Sequence, residues 1–110
     1  MNKAVPTPQV ERLFAFVLKS RVLLVGRDTL ARSKSRLHFI LISSDLSENS
    51  RSAVLSEFAH YPVVQHYSQQ DFQAFFGLQG TKVIGFAKSD LAKSIYAALK
   101  QYRINRPISK

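Results

Sequence analysis

The sequence predicts an α/β domain with helices on both faces of a sheet. Strand-length apolar runs alternate along the chain with segments of helical period. One of these runs, Leu37–Ile42, is apolar at nearly every position, as a strand covered on both faces requires. No repeat, low-complexity stretch or linker divides the 110 residues. One domain over 8–102 is therefore expected, between a disordered N-terminal arm at 1–7 and a basic C-terminal tail at 103–110.

From Pro8, the residues Val10, Leu13, Phe14, Val17 and Leu18 recur at helical spacing, with Thr7 placed to cap the helix. Val22–Val25 is a β-branched run ended by Gly26 and reads as a short strand. Residues 27–35 offer only Leu30 and Ala31 as apolar anchors, so a helix there is thinly held and mostly exposed. Spacing of four would put Asp28, Arg32 and Arg36 on one face of it. The strand Leu37–Ile42 follows. Asp45 and Glu48 match a capping box for a helix reaching about Tyr61, in which Arg51 is solvated. Pro62 ends it, and Val63–Tyr67 is the next strand. Ser68 and Asp71 form a second capping signal before the apolar Phe72–Phe76. A loop at 77–81 leads to a strand at Lys82–Ala87. Ser89 then caps a last helix whose apolar face is Leu91, Ile95, Ala98, Leu99 and Tyr102.

Composition narrows the function classes. Hydrophobic residues make up 45% of the chain, too many for a disordered protein. Cysteine is absent, which excludes disulfides, thiol catalysis and cysteine-based metal sites. No apolar run approaches the ~20 residues of a membrane span. The first residues lack the apolar stretch of a secretory signal, so a cytoplasmic protein is expected. His60 and His66 have no third ligand at metal-like spacing, and His38 sits inside an apolar strand. Ser43, Ser44 and Asp45 end a strand, but no Gly-rich phosphate loop, nucleophile elbow or carboxylate pair accompanies them. No catalytic residue, metal, cofactor or small-molecule substrate is expected.

The formal charge is +9. Residues 19–36 carry six Lys/Arg against Asp28, and residues 82–110 carry seven against Asp90. Clustered cations favour a polyanion, nucleic acid before a membrane surface. The group Arg21, Arg27, Arg32, Lys34 and Arg36 is the leading candidate surface. A positive helix laid on phosphates accounts for its scarcity of apolar anchors.

Several landmarks occur together. They are the first helix followed by Arg21–Gly26, the strand and turn Leu41–Asn49, Tyr61-Pro62-Val63, Phe76-Gly77, and Val83–Phe86. In their order and spacing the chain resembles the ribosomal-type RNA-binding proteins of the L-seven-Ae and L-thirty-e group, their short bacterial relatives in particular. The resemblance runs from about Pro8 to Tyr102. It implies a three-layer α/β/α sandwich with a mixed four-stranded sheet, and binding of structured RNA, often kink-turns. It places the RNA surface at Gly26, Asp28, Thr29 and Arg32, and at the loop Leu78, Gln79, Gly80, Thr81 and Lys82. Asp28 stands where the family carries an Asn, and Thr29 where it carries a Glu that reads sheared G·A pairs. Asp lacks the amide donor, and Thr lacks the two-oxygen carboxylate. General RNA affinity is the expectation, with kink-turn specificity left open. Ribosomal or other ribonucleoprotein partners and a monomeric state are also expected. The competing reading is a protein-interaction module on the same scaffold without RNA.

Overall fold

The computed structural model describes residues 7–106; residues 1–6 of the expected arm and 107–110 of the expected tail lie outside them. The first helix, α1, spans Thr7–Ser20, so Thr7 opens the helix rather than capping it. Val10, Phe14 and Val17 are buried and Leu13 half-buried. Leu18 does not join them: it is 52% exposed. At 3.6 residues per turn it falls about 80° around from Val10, beyond the edge of the buried stripe.

Strand β1 is Leu23–Val25, followed by the short helix α2 at Arg27–Arg32 and a 3-10 turn at Lys34–Arg36. Leu30 is the single buried residue of α2, so the expectation of a thin anchor is met. Ser33 ends α2, its N–H bonded to the Leu30 carbonyl at 3.1 Å. This break takes Arg36 off the helix, and Arg32 and Arg36 do not share a helical face.

Strand β2, Leu37–Ile42, leads to α3 at Glu48–Glu57. The cap of α3 is Ser47, whose hydroxyl accepts from the Ser50 N–H at 3.2 Å, not Asp45. Asp45 stays in the preceding turn and accepts from the Gln69 N–H at 3.4 Å, tying two loops together. Arg51 is half-buried rather than solvated, its Nε donating to Gln65 Oε1 at 3.2 Å.

Strand β3 is confined to Val63–Gln65, because Tyr67 adopts a left-handed φ of 69° that cannot continue a ladder. Its ring enters the apolar cluster of Phe14 and Phe75, and burial pushes its hydroxyl pKa well above the ordinary value. Helix α4, Gln69–Phe76, starts with the full capping box of Ser68 and Asp71. Strand β4 is Val83–Ala87, and α5 spans Asp90–Leu99 with Ser89 as its cap. A 3-10 turn, Lys100–Tyr102, continues α5. Among the described residues, no helix is long and apolar enough to cross a membrane.

The four strands form one mixed sheet in the order β1-β4-β2-β3, with β2 and β3 parallel and β4 antiparallel to both its neighbours. On one face Phe39 and Phe86 stack at 4.7 Å, covered by Tyr96 of α5 and Phe76 of α4, with Phe14 of α1 against Phe76. On the other face, α2 approaches so closely that a Cβ on Gly85 would collide with Leu30 Cδ2 and lie 2.8 Å from Leu37 Cδ1. Helix α3 packs beside α2 through Lys34, Glu57 and Phe58. The fold is the expected three-layer sandwich. Leu37 and Phe39 reach opposite faces because the register with β4 slips between them, a bulge that leaves His38 unpaired.

Arg103–Asn105, at the head of the expected basic tail, run along the free edge of β3. The Ile104 N–H donates to the Val63 carbonyl at 2.8 Å, and the Val63 N–H donates to Asn105 Oδ1 at 2.9 Å.

Candidate functional site

β1 and β4 are antiparallel, so the end of β1 meets the beginning of β4. The Gly26 N–H donates to the Val83 carbonyl at 3.0 Å, which holds the turn into α2 beside the loop before β4. Gly26 has φ 87° and ψ 154°, a conformation essentially reserved for glycine. It turns the chain sharply enough for α2 to fold back over the sheet while Arg27 and Asp28 stay at its rim. The same loop is fastened on its other side, where the Ser43 N–H donates to the Lys82 carbonyl at 2.9 Å.

The result is an open groove of about 960 Å³. It is lined by Val25, Gly26, Arg27, Asp28, Thr29 and Arg32 from one side, by Gly80, Thr81, Lys82 and Val83 from the other, and by Glu57. Two stretches about fifty positions apart thus meet, the pair of segments that the family resemblance implies. Leu78 and Gln79 do not line the groove: Leu78 packs partly against the core, and Gln79 is exposed elsewhere on the loop.

Lys34 does not itself line the groove but is bonded to Glu57, which does. Its Nζ donates to the Glu57 carbonyl at 3.3 Å and sits 5.2 Å from the centre of the Phe58 ring, while its own carbonyl accepts from the Tyr61 hydroxyl. It fastens the turn after α2 to the end of α3. Arg21 and Arg36 lie at the opposite end of the sheet, where β1 and β2 begin.

Sequence reasoning missed Val25, Val83 and Glu57, and Glu57 is the charged one among them. It ends α3 and pairs with Arg27, Oε1 to Nη2, at 3.5 Å. Neither periodicity nor a motif marks it, because its partner lies thirty positions away. The groove therefore carries Arg27, Arg32 and Lys82 against Asp28 and Glu57, a mixed surface with a small cationic excess. Chemically it offers two guanidinium forks and an ammonium for anionic oxygens, and two carboxylates that accept from amino or imino groups. The hydroxyls of Thr29 and Thr81 can do either. Among the described residues, no cluster of three His, Asp or Glu side chains could hold a metal.

No protein-family model and no curated protein matches the chain in sequence. Solved structures do match in fold. A Bacillus halodurans protein of unknown function is 18% identical with a TM-score of 0.75, over 84% of this chain and 97% of that one. A Giardia lamblia 15.5kD RNA binding protein is 15% identical with a TM-score of 0.62, over 88% of this chain and 85% of its own.

Proposed function

We propose that the groove between α2 and the loop before β4 binds structured RNA, ribosomal or kink-turn-like, without catalysing a reaction. The observation that carries this reading is the convergence of Arg27, Arg32 and Lys82, drawn from two distant stretches, in one open groove that also holds base acceptors. The RNA-binding protein among the fold neighbours supports it, as does the family resemblance of the landmarks. Arg27, Arg32 and Lys82 take the backbone phosphates. Asp28 and Glu57 accept from exposed amino groups of bases, as carboxylates do at base edges. With Thr29 in place of the family Glu, the carboxylates that line the groove are those of Asp28 and Glu57.

The test is binding of the purified protein to a kink-turn RNA and to a plain duplex of equal length, each across a salt series. The logarithm of the binding constant should fall linearly with the logarithm of salt. Arg27→Glu, Arg32→Glu and Lys82→Glu together should weaken binding by roughly 100-fold or more at moderate salt while leaving the circular dichroism unchanged. Undiminished binding by that variant would sink the assignment. Preference for the kink-turn would show that the carboxylates read bases, and equal binding would show a general RNA surface.

A further inference from the structure

The groove holds only a small part of the chain's cationic excess of +9. A more uniformly positive surface lies at the other end of the sheet. The Ala87 N–H donates to the Val22 carbonyl at 2.8 Å, and the Lys88 N–H donates to the Arg36 carbonyl at 2.7 Å. The register carries Arg21 of the β1 side, Lys88 of the β4 side and Arg36 of the β2 side to the same level of three adjacent strands. Neighbouring strands lie about 4.8 Å apart, so the row spans roughly 10 Å of backbone. All three side chains are exposed. Lys93, one turn into α5, is exposed nearby; burial lowers the pKa of His38, and Lys93 and Lys88 add to that effect. Asp90 is the acidic residue of this region. Among the described residues, ion pairs join Arg27 to Glu57 and Arg51 to Glu48, and neither involves the row.

Such a row differs from the groove in kind. It has cations in sequence across a rigid sheet end and little to accept from a base. It therefore suits a polyanion backbone and not base readout. We propose that Arg21, Lys88 and Arg36 form a second RNA-backbone contact at the end of the sheet opposite the groove, so that one protein engages two segments of RNA. The two surfaces are separated by about the length of β4, five residue steps from Val83 to Lys88, or about 17 Å. They lie at opposite ends of the strands, and helices cover both faces of the sheet, so one segment reaches both only by crossing over a helical layer. The choice of RNA as ligand rests on the reading of the groove, but the geometry of the row does not.

Two variant sets separate the surfaces. In the row set, Arg36→Gln and Lys88→Gln are combined, with Arg21→Gln added as a third change in a second variant because Arg21 has a left-handed φ of 58°. In the groove set, Arg27→Gln, Arg32→Gln and Lys82→Gln are combined. The probe is a 20-base-pair RNA duplex, with affinity measured across a salt series and stoichiometry by analytical ultracentrifugation. The row variants should bind at least about tenfold more weakly, with a salt slope shallower by roughly two. The groove set should keep a residual, salt-steep affinity that disappears when both sets are combined. Unchanged affinity and slope in the row double variant would overturn the proposal and leave the groove reading standing. Loss in the row variants with none in the groove set would uphold the row and overturn the groove. Row-dependent capture by phosphatidylglycerol vesicles, with row-independent RNA binding, would overturn the proposal in favour of a membrane surface.

Discussion

Glu57 sets the balance of the groove. Its carboxylate holds the Arg27 guanidinium at 3.5 Å, so an incoming phosphate must compete with it. Both side chains are partly solvated, and an ion pair of this kind is worth about 1 kcal/mol or less. Glu57→Gln should therefore tighten binding to a plain duplex by up to about fivefold, as filter binding at fixed salt would show. The same change should weaken any preference for exposed bases, since an amide offers one acceptor where the carboxylate offers two. Gly85 acts at a distance from the groove. It leaves the space into which Leu30 and Leu37 pack, and Leu30 alone anchors α2. Gly85→Ala should destabilise the protein by about 1–3 kcal/mol through overpacking, readable in urea denaturation. An unchanged midpoint would mean that α2 shifts freely, and that the groove rim is softer than its packing implies.

The elements differ in how they are secured. α4 is held locally by the reciprocal bonds of Ser68 and Asp71, and both partners are visible as a spacing of three in the chain. α3 also has a serine cap, but two overlapping signals compete there, Asp45 with Glu48 and Ser47 with Ser50. The second prevails, and Asp45 serves the loop before α4 instead. The edge of β3 is closed by a segment that composition marks only as basic. Asn105 accepts from the Val63 N–H and donates to the Tyr61 carbonyl at 2.8 Å, while Arg103 reaches the Tyr96 hydroxyl. This closure covers an edge that would otherwise offer unpaired backbone groups to another chain. Asn105→Ala should cost about 1–3 kcal/mol, because it leaves two partly buried backbone groups unpaired. Hydrogen exchange should accelerate at Val63 before it does in β4.

Across the molecule, stability and binding respond to pH in separate ways. Burial lowers the pKa of His38, with Lys93 and Lys88 adding to it, and burial likewise lowers that of His66, which stacks on Tyr102 at 3.8 Å. The unfolded chain titrates these groups near the ordinary 6.5. Below that value the unfolded state binds protons that the fold resists, so stability falls with acidification until the folded pKa values are passed. The contribution is fully present above about pH 7.5. Calorimetry should show the thermal midpoint dropping between pH 7 and 5, with a smaller drop in a variant carrying His38→Gln and His66→Gln. RNA affinity should change little between pH 7 and 8, because no histidine lines the groove.

Periodicity, turn chemistry and charge are properties of neighbours along the chain, and they placed the alternation of elements, the buried strand Leu37–Ile42, the caps at Ser68 and Ser89, and the two basic stretches. These signals persist through folding because hydrogen bonding and burial within one element depend on residues a few positions apart. Other features arose only when distant segments met. Glu57 entered the groove through the packing of α3 beside α2. The bulge at His38 sent Leu37 and Phe39 to opposite faces. Arg36, read as one surface with Arg27 and Arg32, was parted from them by the break at Ser33, and the strand order aligned it with Arg21 and Lys88. Which charges share a surface is a question of register between strands and of contact between helices. Linear spacing carries no information about either, because both are set by how the layers close over the sheet.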